Sequence, residues 1–260
     1  MIEAFFALLF GLLIGSFLNV CIYRWPRDLS VVRPRSHCIA CGKTIVWYDN
    51  IPVVSWLVLR ARCRQCGARI SWRYPVVELL TGLAFFYFVS QSGLTLLALK
   101  MCVFSAMIIA LTFTDLEERI LPDELTLGGV AAGLVFAIFV PVPEGLAQFF
   151  FSGRKAWLLD AVMSGLFPAL ILWATGAVWG RLRHKEVLGL GDVKLIAMAG
   201  SFLGLRGTFL TMAAGSLAGS IIGLGYILVT RKDWQSYELP FGTFLGFAAL
   251  AVAVFAGQSG

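Results

Sequence analysis

The fold class predicted by the sequence is an all-α polytopic membrane protein, with about eight transmembrane helices and a small zinc-bound cytosolic insert. Three observations predict it. Of the 260 residues, 59% are hydrophobic and only 14% charged, against about 25% charged in a soluble domain. Apolar runs follow one another along nearly the whole chain, for a mean hydropathy of +0.84. The one long polar stretch carries two Cys-x-x-Cys pairs. A single water-soluble core is not what this composition builds.

The runs are Ile2–Tyr23, Pro75–Val89, Leu94–Phe113, Leu125–Pro141, Trp157–Trp179, Val193–Leu205, Thr208–Thr230 and Phe241–Ala256. A spanning helix needs about 20 residues, and about 17 is the usual lower limit. Four runs reach full length; the second, sixth and eighth are short. The first run begins Met1-Ile-Glu-Ala, with no basic start and no small-residue cleavage site, and is read as a permanent helix rather than a signal peptide.

Charge gives the orientation. With the N-terminus outside, Arg24–Tyr74, Thr114–Glu124, Gly180–Asp192 and Arg231–Pro240 face the cytosol. These segments hold sixteen of the 21 Lys and Arg residues, the excess that membrane insertion enforces. An odd number of spans destroys this pattern. The net charge of +6 therefore reports topology before any acidic partner.

The organisation expected is a first transmembrane helix over 1–23, a cytosolic zinc-binding insert over 24–74, and a seven-helix membrane domain over 75–260. An insert this small buries too little apolar surface to fold without a staple. Cys38-Ile-Ala-Cys41 and Cys63-Arg-Gln-Cys66, 21 residues apart, match a tetrahedral four-thiolate zinc site. A glycine follows each pair (Gly42, Gly67) and frees the backbone to turn around the metal. The alternative is two disulfides. The charge pattern places the segment in a reducing compartment, where disulfides rarely persist, and so favours zinc in a structural role. Cys21 and Cys102 lie inside apolar runs and read as small core residues. The insert also holds ten basic residues and four tryptophans. A nucleic-acid surface is one reading of them; anionic headgroups and the bilayer interface fit better, so lipid is expected and nucleic acid is not.

Acidic residues in or beside spans are costly and are functional candidates by default. Asp160, at the outer end of the fifth run, is expected to reach outer water and to have no role. Glu78 stands in the first turn of the second span, after Tyr74-Pro75, where a helix start favours negative charge. Two other segments carry more. Phe113-Thr-Asp115-Leu-Glu-Glu-Arg-Ile-Leu-Pro122-Asp123 leaves the third span, and Gly189-Leu-Gly191-Asp192-Val-Lys194 enters the sixth. The sixth run is too short to cross the bilayer unless its helix begins near Val187 or Gly189, which draws Asp192 toward the headgroups. Two carboxylates brought close do not both ionise easily, so one keeps a proton. That is the state aspartyl peptidase chemistry needs: the ionised partner deprotonates water and the protonated one donates to the scissile carbonyl. Gly189 and Gly191 let a main chain approach an extended peptide. The competing reading is an ion or proton pathway in a proton-coupled transporter with a structural zinc domain. A membrane-anchored zinc ribbon that binds nucleic acid leaves both aspartates unexplained.

At these residues the chain resembles the type IV prepilin peptidases, bacterial members of the GxGD aspartyl protease group. The resemblance runs through Gly15-Ser-Phe-Leu-Asn-Val-Cys-Ile-Tyr-Arg24, the paired cysteine insert, Tyr74-Pro-Val-Val-Glu78, the Asp115 to Asp123 segment, Gly189 to Lys194, and Pro240-Phe-Gly242. It implies that Asp115 and Asp192 are the catalytic pair, with Gly189, Gly191, Lys194, Pro122 and Asp123 as the supporting motif. It further implies removal of a short basic leader from prepilins or pseudopilins of type IV pili and type II secretion, after a glycine on the cytosolic side. The location implied is the bacterial cytoplasmic (inner) membrane. Members with the cysteine insert also N-methylate the freed amine with S-adenosylmethionine. For that second step no glycine-rich nucleotide fingerprint is present, and Arg73 and Glu78 are the candidates. Which pilin is cut, and the oligomeric state, are not legible in the sequence.

Five acids stand against one base, Arg119, between Asp115 and Glu124. Glu117, Glu118 and Glu124 are expected to hold the basic leader, leaving Asp115 to catalysis.

Overall fold

The computed structural model describes residues 1–143, 145–183, 188–230 and 240–256. Its helices are α1 (Ile2–Arg24), α2 (Val54–Val58), α3 (Arg73–Ser92), α4 (Leu96–Glu118), α5 (Asp123–Ala137), α6 (Arg154–Arg183), α7 (Leu190–Thr230) and α8 (Phe241–Ala256). Among the described residues there is no strand, only two isolated β-bridges, His37 with Thr44 and Arg62 with Arg69. Five helices, α1, α3, α4, α6 and α7, are long and apolar enough to cross a membrane by length and composition. α5 and α8 are shorter, with 15 and 16 residues. The sixth and seventh apolar runs form one helix, α7, interrupted at Gly204, where φ is 76° and ψ is 178°. The expected cytosolic segment Arg231–Pro240 lies outside the described residues except for Pro240, as do 184–187 of the segment before α7.

The chain divides into two compact units, Met1–Phe113 and Thr114–Gly260. In the first, α1 and α3 run antiparallel at backbone contact. A Cβ on Gly11 would stand 2.8 Å from the Cα of Gly82, and one on Gly15 would stand 2.6 Å from the Cα of Glu78. In an apolar solvent helices gain nothing by hiding oily surface from each other, so close packing through small residues is what holds them. Gly11 and Gly15, one helical turn apart, supply that face.

In the second unit α7 is the central element. Gly165 of α6 lies against the backbone of Ala197, Gly200 of α7 lies against that of Ser164, and Gly133 of α5 faces Ser201 and Phe202. Farther along, Gly215 and Gly219 meet Leu245 and Phe244 of α8. Asp160 departs from expectation. It is buried, and its carboxylate accepts hydrogen bonds from the Ala147 amide at 2.6 Å and the Gln148 side chain at 3.1 Å. It organises the loop between α5 and α6 instead of reaching water, because a buried carboxylate must be hydrogen-bonded.

Candidate active site

Three helix ends build the site in the second unit. α4 finishes at Glu118, and Arg119 takes a left-handed conformation (φ 55°) that turns the chain. Pro122, buried and extended, then starts α5, with Asp123 and Glu124 in its first turn where the helix dipole favours acids. Asp115 is thus on the last turn of α4, and it is buried.

The Gly189-x-Gly191-Asp192 spacing is a helix start. α7 begins at Leu190, so Gly189 stands at its cap and Asp192 three residues on. The Gly189 amide bonds back to the Asp192 carboxylate, and the Asp192 amide donates to the Gly189 carbonyl at 3.1 Å. This reciprocal arrangement is a capping box without the cap side chain. It holds Asp192, also buried, against the first turn of its own helix.

The third contributor, Thr243, was not singled out from the sequence. It lies in the first turn of α8, directly after Pro240-Phe241-Gly242. Its amide donates to Oδ2 of Asp115 at 2.6 Å and its hydroxyl donates to the same oxygen at 2.8 Å. The three segments also converge on Leu121. A Cβ on Gly191 would come within 2.9 Å of Leu121 Cβ, and one on Gly242 within 2.9 Å of Leu121 Cδ1 and 3.1 Å of Asp115 Cγ. Both glycines therefore make room for one leucine, which brings the α7 and α8 starts to the end of α4. The two carboxylates are near enough for the charge of Asp115 to act on Asp192.

Lys194, two residues beyond Asp192, donates to Asp123 Oδ1 at 2.6 Å and ties the α7 start to the α5 start. Asp123 thereby leaves the acidic patch as a free charge. Glu117 and Glu124 are exposed and Glu118 half-buried, all on the segment that carries Asp115. An open apolar groove of about 390 Å³ runs between α6 and α7, lined by Leu166, Trp173, Val193 and Ala197 among others, beginning next to Asp192.

The first unit holds the four cysteines. Their sulfur atoms all lie within 4.8 Å of one another, with Cys38 and Cys66 at 3.8 Å. A tetrahedral zinc with bonds of about 2.3 Å sets sulfurs about 3.8 Å apart, so the cluster fits such an ion. The two halves repeat each other with an offset of 25 residues. Cys38 and Cys63 amides donate to the Lys43 and Ala68 carbonyls, at 2.9 and 2.8 Å. Gly42 and Gly67 amides donate to Cys38 and Cys63 carbonyls, at 2.8 and 2.9 Å. Gly42 and Gly67 both have positive φ, 69° and 71°, as a turn back over the metal position requires. Backbone amides of Cys66 and Gln65 pull the Cys63 thiol down to about 7, while burial and the neighbouring thiols push Cys66 up to about 11, so the sulfurs share protons that a metal would displace.

Arg73 and Glu78 are both buried near the start of α3, but in different surroundings. Arg73 lies over the Tyr74 ring, 4.8 Å from its centroid. Glu78 accepts the Val53 amide at 2.7 Å and the Ser16 hydroxyl. Beside it, the Asn19 side chain donates to the Tyr74 carbonyl at 3.0 Å. The Gly15-to-Arg24 stretch meets Glu78 through Gly15 and Ser16, a contact made only by the tertiary fold.

Comparison with known proteins covers both units. Residues 9–92 match the model of the bacterial Peptidase A24 N-terminal domain, and residues 102–224 match that of the type IV leader peptidase family. A prepilin leader peptidase/N-methyltransferase of Myxococcus xanthus is 41% identical over 229 residues, 88% of this chain and 64% of that protein. One of the same name from Aeromonas hydrophila is 37% identical over 92% of this chain and 86% of its own length. An Escherichia coli type 4 prepilin-like proteins leader peptide-processing enzyme is 37% identical over 93% of this chain and 90% of its own. No solved structure matches the chain. These relatives lend no support to a transporter.

Proposed function

The chain belongs to the type IV leader peptidase family, and from that premise we propose that it is a membrane aspartyl endopeptidase and N-methyltransferase. It removes the short basic leader of type IV prepilins or pseudopilins, after a glycine on the cytosolic side, and methylates the new N-terminal residue. The observation that carries the peptidase reading is that Asp115, at the end of α4, and Asp192, at the start of α7, lie within reach of each other's charge.

In the cleavage step one carboxylate takes a proton from water as its oxygen attacks the scissile carbonyl, and the other carboxyl gives its proton to the carbonyl oxygen. Glu117, Glu118 and Glu124 attract the basic leader. The apolar groove beside Asp192 suits the oily segment that follows a leader in a membrane-borne substrate.

Cleavage must precede methylation, because the accepting amine does not exist before it. An α-amino group titrates at about 7.7–8.0, so a useful fraction is neutral and nucleophilic in the cytosol. S-adenosylmethionine, as cosubstrate, supplies the methyl group. We place this step in the Met1–Phe113 unit, with Glu78 and Arg73 as its candidate residues. The support is a buried carboxylate held by a loop amide beside a glycine-lined helix crossing. Zinc on Cys38, Cys41, Cys63 and Cys66 is structural: four thiolates fill its positions and leave none for a substrate.

We read eight spans, counting α5 and α8 as short spans and dividing α7 at Gly204. On that reading the N-terminus is outside the bacterial inner membrane and both aspartates lie at the cytosolic face. We assign residues 75–260, after the insert, to the membrane peptidase domain.

The test is purified protein with a prepilin-like peptide and S-adenosylmethionine, followed by mass spectrometry. Loss of the leader together with gain of a methyl group is expected. Asp115→Asn and Asp192→Asn should each lower cleavage by at least about 10³-fold with folding retained. Proton-driven flux without cleavage would overturn the reading.

A further inference from the structure

We infer that Thr243 is a positioning residue of the cleavage reaction, and that through it Asp115 is the member of the pair that takes the proton from water. The inference rests on the peptidase reading above.

The geometry assigns the oxygens of Asp115 different tasks. Oδ2 receives two donors, the Thr243 amide at 2.6 Å and the Thr243 hydroxyl at 2.8 Å. An amide N–H can only donate, so Oδ2 is an acceptor in every protonation state of the site. A proton on Oδ2 would force the Thr243 hydroxyl to turn from donor to acceptor and forfeit its bond to the charged form. Asp115 therefore exchanges protons through Oδ1. The same contacts fix the plane of the carboxyl group, because Thr243 is itself held in the first turn of α8, its amide shared with the Pro240 carbonyl at 3.2 Å.

The division of roles follows from counting donors. Asp192 meets the start of α7 and receives the Gly189 amide. Asp115 meets the start of α8 and receives the Thr243 amide, so the two helix starts roughly balance. The Thr243 hydroxyl is the additional donor on Asp115, and the positive charge of Arg119, one turn on, favours the ionised form in the same sense. Being at the end of α4 works against charge on Asp115, but a helix-end effect is smaller than one hydrogen bond to a charged group. The negative charge is thus kept on Asp115 and the shared proton on Asp192.

The cycle then balances. Water gives a proton to Asp115 Oδ1 while its oxygen bonds to the carbonyl carbon, and Asp192 gives its proton to the carbonyl oxygen. As the C–N bond breaks, the proton on Asp115 passes to the leaving nitrogen. A hydroxyl of the tetrahedral intermediate returns its proton to Asp192. The carboxylic acid and amine leave, and both aspartates are restored.

Two variants test this with a basic-leader peptide. Thr243→Val keeps the shape and the amide but deletes the hydroxyl, and Thr243→Ser keeps the hydroxyl. One hydrogen bond to a charged group corresponds to roughly 10- to 100-fold in rate. Thr243→Val should lose that factor in kcat with KM unchanged, and should alter the acidic limb of the kcat profile, which reports the group that must be ionised. Thr243→Ser should recover most of the rate. An unimpaired Thr243→Val, a loss confined to KM, or a serine variant as poor as the valine variant would overturn the positioning role. A change confined to the alkaline limb would reverse the assignment of base and acid. Absence of cleavage by the unmodified enzyme on the same peptide would instead sink the underlying peptidase reading.

Discussion

The carboxylate of Glu78 accepts the amide of Val53 at 2.7 Å, and Val53 sits at φ 61° and ψ −49°. The Val54 amide bonds to the Pro52 carbonyl at 2.6 Å, which closes a strained γ-turn around a β-branched residue. Such strain costs on the order of 1–3 kcal/mol and persists only where surroundings enforce it. Glu78→Gln keeps an acceptor for the Val53 amide, so the protein should fold and cleave. On the proposal above it should also lose methylation at least tenfold. Glu78→Ala leaves the amide unpaired and should destabilise the first unit by about 1–3 kcal/mol. Product mass spectrometry and thermal unfolding read these separately. A fully methylated product from the glutamine variant would remove Glu78 from the methyl-transfer step.

Packing on Leu121 sets a second expectation. Gly191→Ala and Gly242→Ala each drive a Cβ to within 2.9 Å of that side chain. Each should cost about 1–3 kcal/mol by overpacking, with cleavage falling as the helix starts shift. Leu121→Ala in the Gly191→Ala background should recover part of the loss. Strict additivity of the two changes in unfolding and in kcat would show that they do not share a contact.

The leader hypothesis predicts a salt signature. Neutralising Glu117, Glu118 and Glu124 together should raise KM for a basic leader and flatten its dependence on ionic strength, since exposed charges are screened beyond about 10 Å at 0.1 M. Asp123→Asn should do less, because Lys194 already engages that carboxylate. Kinetics unchanged by the triple substitution, with basic and neutral leaders alike, would exclude these glutamates from leader binding.

Metal content is the fourth test. Purified protein should contain one zinc per chain, and Cys41→Ser or Cys66→Ser should lower that content steeply. Zinc bound to four thiolates contributes on the order of 10 kcal/mol to folding of a small module. A strong chelator should therefore expose the arginine-rich insert to trypsin. Full protection of 24–74 after complete metal removal would show that the cysteines do not staple it.

Much of this molecule is legible in one dimension because each signal is local. An apolar run of bilayer length must be a helix, since no other backbone satisfies itself in lipid. Two Cys-x-x-Cys-Gly units point to four clustered thiols that fit a metal, because the ligand spacing and the turn both lie within a few residues. The Asp115 and Asp192 segments stand out because carboxylates at span ends are expensive. Asp160 shows the limit: burial depends on what a loop does, and no local pattern reveals that Ala147 and Gln148 reach it.

The membrane class, the pairing of cysteines into a four-thiol cluster and the two candidate aspartates are legible along the chain, because hydropathy, ligand spacing and charge cost are properties of short segments. That Leu121 fills the room left by Gly191 and Gly242 emerges only when the helices pack. The same is true of Thr243 turning both its donors on Asp115, and of Val53 leaning on Glu78. Those contacts join residues tens of positions apart, and their partners follow from how helices cross rather than from any periodicity along the chain.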